Sequence, residues 1–254
     1  MRRLQRPLHQ ALLAVCLSLA GFQGLWAQSA AAGLYNQGNA LYREGDFAGA
    51  LEAYRRAAAG AQDARLFYNL ANAAYKTGSL GEAILWYERA ARLDPRDADI
   101  RANLDFARQT RLDRETAGGG GLGDYLYAAY SWPTPNELSV VFCLGLVTLF
   151  GLGVWRLLRP GGGLWGICLG AAVFVAVAAG GWLGLRAGDE GREEAVVMVG
   201  ATTARSGPDE GRTVLFELHE GTKVLIERSE GAWILGRLPN GLGGWLPAAD
   251  LGVI

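Results

Sequence analysis

Residues 38–57 read GNALYREGDFAGALEAYRRA, and residues 71–90 read ANAAYKTGSLGEAILWYERA. Both stretches carry the same residue at six pairs of positions that lie 33 apart: Asn39 and Asn72, Tyr42 and Tyr75, Gly45 and Gly78, Ala50 and Ala83, Tyr54 and Tyr87, Ala57 and Ala90. Repetition at a fixed period of about 34 residues is typical of stacked helical hairpins. The sequence therefore predicts two copies of one helical unit.

Each copy places small or aromatic residues every three or four positions along two helical stretches. The two stretches meet at REGD (43–46) and KTGS (76–79), where glycine is expected to end the first helix. Small residues are needed where paired helices pack closely. Two units leave an apolar end exposed, so we predict that residues 97–112, DADIRANLDFARQTRL, form a capping helix.

This pattern resembles the tetratricopeptide repeat. The second copy resembles it most clearly and closes with Leu93, Asp94 and Pro95, whereas the first copy lacks the closing proline. The repeat domain with its capping helix is expected to occupy residues 28–112.

In the tetratricopeptide arrangement, the first helix of each unit lines a concave face. The resemblance implies a partner-binding groove formed by Tyr35, Asn39, Tyr42, Arg43, Tyr68, Asn72, Tyr75 and Lys76. Amides, cations and tyrosine rings suit the backbone or terminal carboxylate of an extended peptide. The alternative is that the asparagines serve local helix packing. Under the peptide interpretation, alanine at both Asn39 and Asn72 is expected to abolish partner capture and leave melting nearly unchanged.

Two long apolar runs follow the repeats. Residues 138–158 and 164–185 contain 21 and 22 residues, and at about 1.5 Å per residue each run reaches roughly the 30 Å of a bilayer core. RPGGG at 159–163 is expected to form a tight turn. We predict two transmembrane helices within residues 137–186.

The first residues resemble an export signal. Arginines at positions 2, 3 and 6 precede the apolar run ALLAVCLSLA, the order of a secretory signal peptide. We expect a signal peptide over residues 1–27, and an uncleaved anchor is the alternative. Val15 argues against lipid attachment to Cys16, because a small residue is required at that position.

Topology follows from the number of spans. An even number places both soluble parts on one side of the membrane, and the export signal makes that side extracytoplasmic. Arg156 and Arg159 favour a cytoplasmic turn between the spans. The predicted location is the inner (cytoplasmic) membrane, in contact with membrane lipid, with both soluble domains periplasmic.

Glycine plays two parts in the middle of the chain. Residues 113–136, which contain TAGGGGLG, are predicted to form a flexible linker, since no strand precedes the glycines as a nucleotide loop would require. In the second span, Gly166 with Gly170 and Gly180 with Gly184 form GxxxG pairs. They either let a neighbouring helix approach closely or reflect the general abundance of glycine in membrane helices.

Residues 193–254 change to a period of two. Apolar residues alternate around FELHEGTKVLIE (216–227), and turns are expected at HEGT, SEGA and LPNG. This small antiparallel β domain resembles the bacterial SH3 fold, whose five strands close a barrel, and Gly244 with Trp245 is the most specific mark. We predict that its core needs Trp233 and Trp245.

Several classes of function are excluded by composition. The net charge of −1 gives no attraction to nucleic acid. After residue 27, His219 is the only histidine, and Cys143 and Cys168 lie within the apolar runs, so we predict no catalytic residues, no metal site and no cofactor. Glu217, Glu220 and Glu227 are interpreted as members of a solvated strand face.

The order of segments resembles the BatE-type proteins of bacterial aerotolerance operons. The most specific parts are NLDFAR (103–108), WPTPNEL (132–138) and FELHEGTKV (216–224). The resemblance implies a non-enzymatic, membrane-anchored interaction scaffold of the cell envelope. Its implied partners are von Willebrand A-type membrane proteins and an associated MoxR-type ATPase, in a stress-related complex. The alternative is a protein that binds or senses cell-wall peptidoglycan through the SH3-like domain.

Overall fold

The computed structural model describes residues 30–113, 126, 129–130, 132–158 and 165–254. These residues form two compact units: one joins the N-terminal helices to Glu194–Ile254, and the other contains the two long apolar helices. The repeats and the β region, which the sequence predicts as separate domains, pack together within the first unit. The predicted signal segment, the glycine run of the linker and the turn at 159–163 lie outside the described residues.

The helical part of the first unit consists of α1 (30–44), α2 (Phe47–Ala58), α3 (Ala64–Lys76), α4 (Leu80–Leu93) and α5 (Ala98–Gln109). The first two helices form one hairpin, the next two form the second, and α5 packs on α4 as the predicted capping helix. Both hairpin turns contain a glycine with φ of +84°, Gly45 and Gly78, which confirms the predicted turns. Other residues rarely adopt this left-handed conformation.

Small residues allow the helices to approach closely, as predicted. Ala50, Ala57, Ala83 and Ala90 are completely buried. Larger side chains at these positions would therefore require the helices to separate.

The β part of the first unit is one antiparallel sheet of seven strands: β1 (Glu194–Val197), β2 (Ala201–Arg205), β3 (Val214–His219), β4 (Lys223–Glu230), β5 (Trp233–Arg237), β6 (Gly243–Pro247) and β7 (Leu251–Val253). The strand order is β3-β2-β6-β5-β4-β1-β7. In the described residues the two end strands do not pair, so the sheet is open and the predicted five-stranded closed barrel is not confirmed. The antiparallel sheet and its predicted turns are confirmed.

The two tryptophans of the sheet lie on the face opposite the core cluster that contains Leu246. Ala204 and Leu246 belong to the core cluster, and alternation directs Trp245 to the opposite face. Trp233 lies on that same face, because Leu235 is paired with Trp245 and stands two residues from Trp233. Trp245 is nonetheless buried and Trp233 half-buried. Burial of Trp245 agrees with the prediction, whereas Trp233 is only half-buried, and the need of the core for both rings stays a prediction.

Helix α4 is the element on which the sheet packs. A Cβ atom at Gly81 would lie 2.5 Å from the carbonyl oxygen of Val197 and 2.9 Å from Cγ of Glu220. The Glu220 carboxylate accepts a 2.8 Å hydrogen bond from the Gly81 backbone N–H, and the N-cap residue Ser79 makes no side-chain cap of its own. Glu220 was predicted to belong to a solvated strand face. It instead caps the N-terminus of α4 from the neighbouring sheet.

A chain of charges crosses the same interface. Arg92 contacts Glu194 at 3.0 Å, and Lys223 contacts Glu194 at 2.8 Å and Glu88 at 3.5 Å. Arg108 of α5 contacts Glu88 at 2.6 Å. Burial acts to raise the pKa of Glu88, but the charges of Lys223 and Arg108 outweigh it and hold that pKa below its usual range. The network links two helices to two strands.

Asp113, the first residue of the predicted linker, is also fixed to the sheet. The Asp113 carboxylate accepts hydrogen bonds from the backbone N–H of His219 and the hydroxyl of Thr222, each at 2.7 Å. Its other oxygen lies 2.8 Å from Nδ1 of His219. Burial acts to raise the Asp113 pKa, and these hydrogen bonds lower it overall. His219 therefore has a structural contact, in agreement with its interpretation as a strand-end residue.

The second unit contains two helices, α6 (Pro135–Leu158) and α7 (Trp165–Glu190), which are long and apolar enough to span a membrane. They pack where Gly145 meets Ala176 and Gly180 meets Phe142. One glycine of the predicted GxxxG pairs is thus used between these two helices. Added Cβ atoms at the other three, Gly166, Gly170 and Gly184, would meet no described atom within 4 Å.

Gly81→Ala tests the close approach of α4 to the sheet. The added methyl group would collide with backbone atoms, and we expect it to lower the free energy of unfolding by about 1 to 3 kcal/mol. The matched control is Gly33→Ala in α1, where an added Cβ meets nothing within 4 Å; it should be neutral or stabilising by up to about 1 kcal/mol. Urea unfolding of the full chain in detergent, followed by circular dichroism, measures both. Equal effects would contradict the docking argument.

Glu88→Gln tests the charge network through its pH dependence. The folded pKa of Glu88 lies below the unfolded value of about 4.3. Its carboxylate therefore stabilises the fold above the unfolded pKa, and this contribution is lost as the pH falls through the folded pKa. We expect a loss of about 1 to 3 kcal/mol at pH 7 that shrinks below pH 4.

The control for this experiment is Glu52→Gln, because the Glu52 side chain is 63% exposed in its pair with Arg55. We expect a change of less than about 1 kcal/mol at any pH. A Glu88→Gln penalty that stays constant from pH 7 to pH 3 would show that its cause is packing and not charge.

Candidate protein-binding groove

The first helices of the two hairpins share a pocket of about 330 Å³, lined by Asn39, Tyr42, Arg43, Tyr54, Asn69 and Asn72. We call it the groove pocket. Four of its six lining residues belong to the groove predicted from the sequence. Tyr54 comes from α2 and closes the pocket from the second helix of its own unit.

A hydrogen-bonded cluster forms the floor of the groove pocket. Oδ1 of Asn39 accepts a 2.8 Å hydrogen bond from the Tyr54 hydroxyl and a 3.2 Å hydrogen bond from Nδ2 of Asn69. Nδ2 of Asn69 also donates to the Tyr35 hydroxyl at 3.1 Å. Side chains of α1, α2 and α3 are thereby joined in one polar contact.

The same cluster recurs one unit later. Oδ1 of Asn72 accepts from the Tyr87 hydroxyl and, at 3.0 Å, from Nδ2 of Asn103. Nδ2 of Asn103 also donates to the Tyr68 hydroxyl at 3.0 Å. Because Asn103 lies in α5, the capping helix takes the place that the first helix of a third unit would occupy. We call the two clusters together the asparagine ladder.

The asparagine ladder settles how the predicted groove asparagines are held. Their Oδ1 atoms are used within the fold, as the packing alternative expects. Among the described residues, the Nδ2 groups of Asn39 and Asn72 make no hydrogen bond, so each amide keeps donors for a ligand. The structure therefore supports a packing role and leaves the binding role as a proposal.

Two cations stand beside the amides. Arg43 is exposed and donates from Nε to the backbone carbonyl of Asn39 at 3.0 Å. Lys76 is exposed and lies 5.9 Å from the centre of the Phe47 ring. Within the described part of the chain, neither forms a salt bridge. The groove thus carries positive charge that the fold does not neutralise.

Aromatic rings continue along the groove. The Tyr42 ring lies 5.0 Å from Phe47, and the Tyr75 ring lies 5.7 Å from Phe106. Phe106 is 56% exposed, although apolar side chains of this size are usually buried. All eight predicted residues thus lie on α1 and α3, and four of them line the groove pocket: Asn39, Tyr42, Arg43 and Asn72. The other four contact residues along the groove: Tyr35 contacts Asn69, Tyr68 contacts Asn103, Tyr75 contacts Phe106 and Lys76 contacts Phe47.

Tyr54, Asn69, Asn103 and Phe106 are not among the groove residues predicted from the sequence. Asn69 and Asn103 are 34 positions apart, one more than the offset that aligns the two repeats, so a comparison at a single offset does not pair them. An asparagine repeated into the capping helix is the signal that would have identified them.

Burial governs the ionisation of the tyrosines in the groove. Desolvation, aided by the neighbouring Tyr35 and Tyr42 hydroxyls, raises the pKa of Tyr54 to about 12. Burial also raises the pKa of Tyr42. Both hydroxyls therefore remain protonated at neutral pH. The Tyr54 hydroxyl can then serve as the donor that the ladder requires.

Stacked helical hairpins with a polar groove define the class of helical-repeat interaction modules. Residues 25–98 match the family model described as the tetratricopeptide repeat. The match covers the predicted repeats and confirms that part of the resemblance. A search of the curated proteins finds no match.

Repeat modules of this kind bind protein partners and are generally non-catalytic. In the described residues, no group of three or more histidine, cysteine, aspartate or glutamate side chains can hold a metal ion.

Asn39→Ala tests the asparagine ladder. The change leaves the Tyr54 hydroxyl and the Asn69 amide without their acceptor, and we expect a loss of about 1 to 3 kcal/mol in the free energy of unfolding. Asn36→Ala is the matched control, because Asn36 is exposed on the same helix and should change stability by less than about 0.5 kcal/mol. Thermal unfolding of the full chain decides. A harmless Asn39→Ala would show that the amide does not support the fold.

Proposed function

We propose that this protein is a membrane-anchored, non-enzymatic scaffold whose groove binds an extended segment of a partner protein. The observation that carries the proposal is a combination of groups in one groove. Among the described residues, Arg43 and Lys76 form no salt bridge, and the Nδ2 groups of Asn39 and Asn72 donate no hydrogen bond. The asparagine ladder holds these amides by their oxygen atoms, so little side-chain entropy is lost when a ligand binds them. Groups of this kind suit peptide carbonyls and carboxylates.

The partner is expected to present an acidic or carboxylate-terminated segment with an apolar side chain. The positive charge of Arg43 and Lys76 favours carboxylates. The exposed ring of Phe106 next to Tyr75 offers an apolar contact at the far end of the groove. A peptide that follows the groove pairs its charge with the cations and its apolar side chain with the rings.

We infer that the complex belongs to the cell envelope, as in BatE-type proteins. The order of segments supports this inference, as do two helices of membrane-spanning length. The expected partners are von Willebrand A-type membrane proteins working with a MoxR-type ATPase in stress tolerance.

The charge of the groove is tested with Arg43→Gln combined with Lys76→Gln. This variant should reduce the capture of a co-expressed von Willebrand A-type membrane protein by about thirtyfold, because two charge-assisted hydrogen bonds are lost and each contributes roughly 1 kcal/mol. Both cations are exposed, and each makes one contact with the fold, so the melting temperature should change little.

The control variant is Arg56→Gln combined with Arg228→Gln, which removes the same charge from exposed positions outside the groove. Co-purification from solubilised membranes measures capture for both variants. Equal capture by the two variants would place the binding surface outside the groove. Loss of capture by both would assign the effect to net charge.

The membrane topology is tested by fusion. Residues 30–113 share one unit with Glu194–Ile254, so both parts must lie on the same side of any membrane that the helices cross. The export signal favours the periplasmic side. Alkaline phosphatase fused after Ile254 should be active, and the same enzyme fused after Arg159 should be inactive. The reverse pattern would place the groove in the cytoplasm.

A further inference from the structure

The two long apolar helices meet in a polar contact at the end where α6 stops and α7 begins. Arg156 lies in the last turn of α6, and Trp165 is the first residue of α7. The Arg156 guanidinium lies over the Trp165 ring, 5.4 Å from its centre. Nε1 of Trp165 donates a 3.2 Å hydrogen bond to the backbone carbonyl of Leu152. We call Arg156 and Trp165 together the hairpin-end site.

The hairpin-end site holds a cation in place but leaves its hydrogen-bond donors unused. The ring of Trp165 is fixed to α6 through its own N–H, and its face attracts the guanidinium. Arg156 is exposed. Among the described residues, its guanidinium donates no hydrogen bond and forms no salt bridge. The planar fork of N–H groups is therefore available to an anion.

The surrounding sequence supplies no counter-charge for Arg156. Residues 138–188 contain no aspartate and no glutamate. A charged side chain at membrane depth is costly unless it is paired or reaches the interface. The anion that satisfies this guanidinium therefore comes from outside the two helices.

The depth of Arg156 indicates where that anion lies. Helix α6 has 24 residues and is about 36 Å long at 1.5 Å per residue, so its last turn reaches the headgroup level of a bilayer whose apolar core is roughly 30 Å thick. Tryptophan is enriched at this level, and the neighbouring Trp155 is exposed. Leu157 and Leu158 are also exposed and offer an apolar surface to acyl chains.

The chemistry of the guanidinium favours a phospholipid phosphate. Arginine binds phosphate through two parallel N–H···O hydrogen bonds. A zwitterionic lipid carries an ammonium group that offsets its phosphate charge, whereas an anionic lipid attracts a nearby cation more strongly.

We propose that the hairpin-end site binds the phosphate of an anionic phospholipid. Arg156 donates to two phosphate oxygens, Trp165 holds the guanidinium, and the acyl chains lie against the exposed leucines. The site rests on the proposed membrane anchoring. It is separate from the groove, because neither of its residues lies on α1 or α3.

The test uses the delipidated full chain in detergent micelles and two probes, dioleoyl phosphatidylglycerol and dioleoyl phosphatidylcholine. The probes have the same acyl chains and differ in the charge of the headgroup. Native mass spectrometry with both lipids at equal concentration should show preferential binding of phosphatidylglycerol. Equal binding of the two lipids, or binding of neither, overturns the proposal.

Variants locate the site on the protein. Arg156→Gln should weaken phosphatidylglycerol binding by about fivefold, and Trp165→Leu by about twofold. Arg56→Gln removes the same charge from an exposed position on α2 and should bind like the unaltered chain. Circular dichroism reports any loss of helix in Trp165→Leu, and Arg156→Gln decides if that variant misfolds. Unchanged binding by Arg156→Gln, or equal loss in Arg56→Gln, overturns the site.

Two further measurements separate this site from free phosphate and from the anchoring itself. Inorganic phosphate should not displace phosphatidylglycerol, and displacement at equal concentration contradicts a lipid ligand. Flotation with pure phosphatidylcholine vesicles tests anchoring without an anionic lipid. A chain that floats but shows no preference for phosphatidylglycerol keeps its anchor and loses the site, whereas a chain that does not float loses both.

Discussion

The contact between α4 and the sheet holds the soluble unit together. Gly81 permits the approach, and Glu220 caps the helix that it permits. Any side chain at position 81 would separate the two surfaces. Glu220 would then lose its hydrogen bond to Gly81, Lys223 would lose its contact with Glu88, and Ile84 would lose its close approach to Gly221. One missing methyl group thus allows a cap, a charge network and a shared apolar core to form at once.

The asparagine ladder performs the corresponding task along the repeats. A polar residue inside a helical stack is costly unless it is satisfied. Here Oδ1 of Asn39 and Oδ1 of Asn72 each accept one hydrogen bond from a tyrosine hydroxyl of the same unit and one from a side-chain amide of the next helical element. Because these partners exist at one register only, the ladder fixes how neighbouring hairpins align. The same geometry leaves the Nδ2 groups of Asn39 and Asn72 without a hydrogen bond among the described residues, so an amide that supports the fold keeps unused donors.

The sequence was informative wherever structure depends on neighbours along the chain. The hairpin turns at Gly45 and Gly78, the capping helix and the apolar spans follow from local pattern, and the structure has them at those positions. The docking of the sheet does not follow from it, because Gly81 and Glu220 are 139 residues apart and each is ordinary within its own segment. Alternation predicts the strands correctly, but by itself it does not say which face of a strand joins the core cluster, and Trp233 and Trp245 lie on the opposite face.

The two long apolar helices are inserted into the sequence of this unit at a single place. Asp113, before the interruption, contacts Thr222, and Glu194, after it, contacts the next residue, Lys223. The chain therefore leaves the unit and returns to it beside two consecutive residues, Thr222 and Lys223, at the start of β4. The entropic cost of closing a loop grows only with the logarithm of its length, and insertions are best tolerated where their two ends are close together. Repeats and sheet can therefore share one core even though 80 residues separate Asp113 from Glu194. A hairpin of two membrane-spanning helices would also keep the two ends of the insertion close together, because it returns the chain to the side on which it started.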